Sequence, residues 1–269
     1  MQPHKSEYWL FPKIANWEAF VSRVTLICQL ILTAIQDNDK KTPSQPKTYL
    51  LSVDEKTGIQ ALERLEQKAP ISKGGHTRQE SEYYRHGTTV LMAALNVGNG
   101  QLQSYYLNST RTEMDFLQFI KTAAAQILEK EPQARIIFLA DQLNTHLSES
   151  LVRWSAQVNN EQEDLGIKGK SGILKNQQSR KSFLENEKHA IRFVFTPKHC
   201  SWLNPVENWF AKLQKHVIQN GNFTSVDDLN VKINKYIQFY NDCLVKPLKW
   251  KFKGFIKAQS LTNFKPSSN

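Results

Sequence analysis

Two strand-like runs, Thr88 to Val97 and Gln101 to Leu107, are joined by Gly98-Asn99-Gly100. Glycines flanking an asparagine supply the backbone conformations that a tight antiparallel reversal needs. A third apolar run, Thr48 to Asp54, comes before this hairpin. After it the pattern alternates. Thr112 opens a helix that runs to about Lys130, with Asp115 placed for a capping box. Arg135 to Ala140 reads as a strand, Ser148 to Val158 as a helix and Ile191 to Thr196 as a strand. Two helices close the series, from Pro205 to about Gln219 and from Val226 to about Asp242; Gly221 ends the first, and Thr224 or Ser225 caps the second. A meander continued by alternating strands and helices predicts an α/β fold, a mixed five-stranded sheet flanked by helices.

That element order is the one found in ribonuclease H-like folds, a likeness that says nothing by itself about chemistry. Around this predicted domain, residues 48–245, lie an N-terminal linker and helix (1–47) and a basic, aromatic C-terminal tail (246–269). Asn16 is a candidate cap for a helix with one apolar face, formed by Phe20, Val24, Ile27, Cys28, Ile31 and Ile35. Its apolar run from Leu26 to Ile35 is too short to span a bilayer, which predicts a core helix and no membrane partner. With no signal-peptide pattern and only three widely spaced cysteines, the chain is expected to be cytoplasmic. Glu55 to Arg85 reads as a long excursion, and Asn159 to Lys188 as a polar, basic insert.

Three acids stand at the ends of these elements. Asp54 and Asp141 each close an apolar strand, and Glu207 falls in the first turn of a helix opened by Asn204-Pro205. Each has an ordinary explanation. An Asp at a strand end is a common turn residue, and a Glu in the third helical position completes a capping box and suits the helix dipole. Alternation puts Asp54 and Glu55 on opposite faces of their strand, so one ion is not expected to bind both. If Asp54, Asp141 and Glu207 converge, their mutual repulsion makes the cluster costly without cations. Hard divalent ions, above all a pair of Mg²⁺, suit such a cluster and suit phosphodiester chemistry.

With 35 basic against 25 acidic side chains, the net charge of +10 favours a polyanionic partner, nucleic acid first. Candidate DNA contacts are Lys170, Arg180 and Lys181 in the insert and Lys249 and Lys251 in the tail, where lysines interleave with Trp250, Phe252 and Phe255. Lys198, His199, Ser201 and Asn204 lie close to Glu207 in sequence and are candidates for holding a phosphate. His146 reads first as a hydrogen-bonded structural group and second as a DNA contact.

The segments Val53-Asp54-Glu55-Lys56-Thr57-Gly58, Asp141-Gln142-Leu143-Asn144-Thr145-His146 and Thr196 to Phe210 resemble the three acid motifs of bacterial insertion-sequence transposases related to the mariner elements. The likeness extends to Tyr84-Arg85-His86-Gly87-Thr88 and Phe223-Thr224-Ser225-Val226 and so covers nearly the whole chain. It implies an Asp-Asp-Glu triad of Asp54, Asp141 and Glu207, two Mg²⁺ ions with Mn²⁺ as a substitute, and a ribonuclease H-like fold. It also implies cut-and-paste movement of DNA, with element ends and target DNA (TA sites) as partners in a homodimer. Three departures stand out. The stretch from Asp141 to Glu207 is longer than in most mariner relatives, Gln142 replaces the usual Asn, and the N-terminal helix-turn-helix modules of the family are not in this sequence. The last departure raises two expectations, a partner helix-turn-helix chain or a truncated remnant that binds DNA and dimerises without cutting.

Overall fold

The computed structural model describes residues 14–39, 46–64 and 82–255, together with the short strands at 67–68 and 78–79. The first thirteen residues, much of the connector before Thr48, most of 65–81 and the tail beyond Phe255 lie outside the described residues. Helix α1 (Trp17–Asp39) is followed by strands β1 (Thr48–Arg64), β2 (Gln67–Lys68), β3 (Arg78–Gln79), β4 (Tyr83–Asn96) and β5 (Leu102–Asn108). Then come α2 (Glu113–Leu128), β6 (Arg135–Ala140), α3 (Glu149–Val158), α4 (Gln177–Leu184), β7 (Ile191–Phe195), α5 (Val206–Leu213) and α6 (Val226–Phe239).

Five strands form one sheet in the order β5-β4-β1-β6-β7, with β2 and β3 pairing apart from it. The β5-β4-β1 half is antiparallel and the β1-β6-β7 half parallel. This is the mixed, helix-flanked sheet the element order predicts.

Alternation along the strands splits the core into two layers. Leu51, Val53, Ile136, Phe138, Phe193 and Phe195 face α2, α3 and α4. On the other face Leu50, Ile137, Leu139 and Val194 pack against Val24, Ile27, Cys28 and Ile31 of α1. Leu91, Ala93 and Leu95 pack there against α5 and α6. By length and composition alone α1 is apolar enough to cross a membrane, yet its inner face is fully buried on the sheet.

Four expectations need revision. β1 does not stop at Asp54. It runs on to Arg64 and pairs with the start of β4, from Ile59 opposite Thr89 to Arg64 opposite Tyr83. Much of the 55–85 excursion is therefore an antiparallel ribbon. Gly58, with φ of +64°, sits in a register shift between Lys56 and Ile59 and is part of a bulge. Within the 159–188 insert, α4 and a preceding 3-10 turn bury Leu174, Phe183 and Leu184 in the main core. The helices begun by α5 and α6 continue as single π turns, Gln214–Ile218 and Tyr240–Leu244.

Local signals otherwise operate as read. Asn16 accepts from the Ala19 amide at 2.9 Å, and Ser225 caps α6 through the Asp228 amide. At α2 the box is complete: Thr112 Oγ1 accepts from the Asp115 amide at 3.2 Å, and Asp115 Oδ2 accepts from the Thr112 amide at 2.7 Å. Thr112→Ala is expected to lower stability by about 1 kcal/mol in urea denaturation, because the Asp115 amide loses its partner at the helix end.

Candidate active site

The last paired residues of the parallel β1–β6 ladder are Ser52 and Leu139. Asp54 and Asp141 lie two residues beyond them, each on the face its strand presents to α1 and α5. Neighbouring strands run about 4.8 Å apart, so the ladder itself delivers two carboxylates side by side.

Glu207 arrives by a different device. The start of α5 is stitched to β1: the Val206 amide donates to Ser52 Oγ at 2.8 Å, and Ser52 Oγ donates to Asn204 Oδ1. Asn204 Nδ2 donates to the Val53 carbonyl at 3.0 Å and to Asp54 Oδ2 at 3.1 Å. Burial of Val206, Trp209, Phe210 and Leu213 sets the rotation of α5 and leaves Glu207 on its open side. The capping-box alternative for Glu207 does not hold. Pro205, not Asn204, precedes the helix, no side chain caps it, and Glu207 is its second residue.

Asp54, Asp141 and Glu207 line one cleft of about 340 Å³, together with Gln142, Leu143, Thr196, Pro197, Lys198, His199, Cys200 and Ser201. Of the predicted phosphate contacts, Lys198, His199 and Ser201 are exposed on its wall. His199 adopts φ of +61°, a left-handed conformation that is uncommon outside glycine and clusters at functional turns. Asn204 and His146, also named as candidate DNA contacts, are not on that wall. They are 1 % and 0 % exposed and act from behind the cleft. Lys181 donates to Gln142 Oε1 at 3.2 Å, while Gln142 Nε2 donates to the Thr196 carbonyl at 2.6 Å. The Gln that departs from the family pattern thus ties the β6 and β7 ends together. Lys170, Arg180, Lys249 and Lys251 do not line the cleft. The segment holding Lys249 and Lys251 nevertheless reaches its rim, where Phe252 packs edge-on against Trp202 with ring centres 5.7 Å apart.

The electrostatics are those of crowded acids. Burial, then the charges of Asp141 and Glu207, push the Asp54 carboxyl up to about 6, against the lowering effect of the Glu55 amide on Asp54 Oδ1. Glu207 is more exposed, but the part lining the cleft is desolvated enough to raise its pKa; Lys56 opposes this and Asp141 adds to it. Burial would raise Asp141 too, but the hydrogen bond and charge of His146 and the Leu143 amide outweigh it and hold the carboxyl below its ordinary value. His146 is pushed up to about 9: burial opposes its charge, but Asp141 and Glu55 on either side prevail.

The donor set suits a hard divalent cation. It consists of carboxylate oxygens on a shared cleft, and their repulsion is already visible in the raised Asp54 pKa. Among the described residues no three acidic, His or Cys side chains close around a single point.

Glu55 was set aside in the sequence because it faces away from Asp54. Its carboxyl, 3 % exposed, lies 3.6 Å from His146 Nε2 and 3.6 Å from Arg111 Nη1. Strand alternation correctly removed it from the cleft, but gave no sign that it reaches Asp141 through a histidine.

Fold and site together define a ribonuclease H-like domain that gathers three acids at the edge of a mixed sheet. Residues 49–230 match the family described as DDE superfamily endonuclease, a span that includes all three acids, and the chain belongs to that family. Among solved structures it is similar to the Mos1 mariner paired end complex with Mn, at 15 % identity and a TM-score of 0.52, covering 88 % of this chain and 61 % of that one. It also aligns with the catalytic domain of Mos1 mariner transposase, at 13 % identity and a TM-score of 0.46, covering 87 % and 90 %. The first likeness establishes a shared fold. The chain spans under two thirds of the length of that Mos1 chain. No curated protein matches it in sequence.

Proposed function

We propose that this domain is the catalytic part of a transposase, cutting DNA at the ends of an insertion sequence and joining the freed end to target DNA. The observation that carries the reading is the delivery of Asp54, Asp141 and Glu207 to one cleft by two adjacent strand ends and a helix start. Water attacks a phosphodiester and breaks its P–O3′ bond, leaving a 5′-phosphate and a free 3′-hydroxyl; that hydroxyl then attacks a phosphate of the target and displaces the target strand's 3′-oxygen as a hydroxyl.

Asp54, Asp141 and Glu207 would hold two Mg²⁺ ions, or Mn²⁺ in their place, with Asp54 shared. When bound, the ions neutralise the carboxylates and polarise the phosphate. The chain's own part is positioning and charge. Asn204 and the Glu55 amide fix one oxygen each of Asp54. Lys198 and His199 supply the exposed positive and hydrogen-bonding wall on which a DNA phosphate can rest. The +10 charge brings the polyanion in. Double-stranded DNA at element ends and at TA targets is the proposed partner. A homodimer would present two such clefts to two ends, in keeping with the paired-end assembly of Mos1.

Incubation with supercoiled plasmid should yield nicked circles only with Mn²⁺ or Mg²⁺, and chelation should stop the reaction. DNA binding without nicking at every metal concentration would replace this reading with that of a DNA-binding remnant.

A further inference from the structure

His146 is wholly buried, and its ring lies on Phe116 with centres 4.1 Å apart, so its orientation is fixed. Nδ1 is 2.7 Å from Asp141 Oδ1 and 3.3 Å from the Asp141 carbonyl. The Leu143 amide also donates to Oδ1, at 3.1 Å. Both protein donors therefore fall on the same oxygen, and among the described residues nothing is hydrogen bonded to Oδ2. On its far side His146 Nε2 faces Glu55 Oε1 at 3.6 Å, and Glu55 Oε2 faces Arg111 Nη1 at 3.6 Å. Neither Glu55 oxygen has a hydrogen bond, although both are buried. A buried carboxylate left in that condition is costly.

We infer that Glu55 and His146 are positioning residues: they form a buried relay through the sheet that clamps one oxygen of Asp141 and leaves the other turned to the cleft for a cation. The row alternates in sign, from Arg111 to Glu55 to His146 to Asp141. Groups hydrogen bonded to a metal ligand from behind fix its orientation, and their loss weakens metal binding. Here the histidine holds a carboxylate ligand, and the acid beside Asp54 in the chain serves Asp141 from the opposite face of the sheet. One dipeptide, Asp54-Glu55, thereby controls two of the three acids. The inference rests on the proposed metal-binding role of Asp141.

The test uses the full chain and Mn²⁺ alone, with binding read by calorimetry. Glu55→Ala is expected to weaken Mn²⁺ binding by roughly 10-fold, the usual scale for groups behind a ligand, and Glu55→Gln, which keeps an oxygen facing His146 but loses the charge, should fall between it and the wild type. In plasmid nicking the metal concentration for half-maximal rate should rise by a similar factor. The rate at saturating Mn²⁺ and DNA binding without metal should stay near wild type. A folded Glu55→Ala variant with wild-type Mn²⁺ affinity overturns the relay. So does a parallel loss of DNA binding and saturating rate, which would mark a merely structural role. If Glu55→Ala does not fold, Glu55→Gln decides, since unchanged Mn²⁺ affinity there refutes the idea. If the wild type binds no Mn²⁺, the metal reading of the cleft falls first and takes the relay with it.

Discussion

Asp54→Asn is expected to abolish metal-dependent nicking, by at least ~10³-fold, and at the same time to make the protein more stable at pH 7.5. The loss follows from removing the carboxylate shared between both proposed ions, since electrostatic stabilisation at the reacting centre accounts for several kcal/mol of a barrier. The gain follows from the folded-state pKa of about 6, above the ordinary 3.8. An acid raised in this way destabilises the fold wherever it is ionised in both states, here above about pH 6, and the penalty fades as pH falls from 6 towards 3.8. At 1.36 kcal/mol per unit the upper bound is about 3 kcal/mol; the residue is partly exposed and Asn cannot accept both present hydrogen bonds, so about 1 kcal/mol is expected. Urea denaturation of both proteins at pH 7.5 and pH 4 checks it. The variant should lead at the higher pH and lose its lead at the lower. A variant that nicks DNA normally would remove Asp54 from the site, and one less stable at pH 7.5 would show that the acids do not strain the cleft.

The second large effect is a fall in stability as pH rises from 6.5 to 9. His146 has its folded pKa raised to about 9 from 6.5. Its stabilisation is fully present below pH 6.5 and is lost as pH climbs through 9. Its partner Asp141 is shifted down, so the same ion pair is also lost as acid protonates Asp141 below the ordinary carboxylate range. The two shifts describe one interaction and are counted once, at about 2–3 kcal/mol between pH 6.5 and 9. Above pH 7 Asp54 is ionised in both states and adds no slope. Denaturation midpoints taken across this range should fall for the wild type and stay nearly level for His146→Asn. An equal slope in both would place the titrating group elsewhere.

The three acids stood out in the sequence because Asp54 and Asp141 each close an apolar run and Glu207 follows a helix start, although β1 itself continues past Asp54 to Arg64. The apolar runs at the start of β1 and in β6 give way to polar residues at Asp54 and Asp141, and the Asn204-Pro205 pair announces a helix. The function of Asn204 was not legible. The sequence shows a residue of capping type before a proline, whereas the fold spends its side chain on Ser52, Val53 and Asp54, some 150 positions away. The same long-range pairing hid His146, whose partners Glu55 and Phe116 come from β1 and α2. The ribbon beyond Asp54 was not legible because a glycine such as Gly58 stands in bulges and loops alike, and only the partner strand tells them apart. Helix α4 was missed for lack of length, since eight residues burying Phe183 and Leu184 offer two turns of pattern.

The seam joining Ser52, Asn204 and Val206 separates two tasks that sit within one short stretch of chain. Glu207 is anchored to β1, while Lys198 and His199 hang from the preceding turn and take no part in the anchoring. Side chains in that turn can therefore be exchanged, or the turn lengthened, with the third acid left in register. Selection can redraw the exposed wall of the cleft without moving the acid beside it.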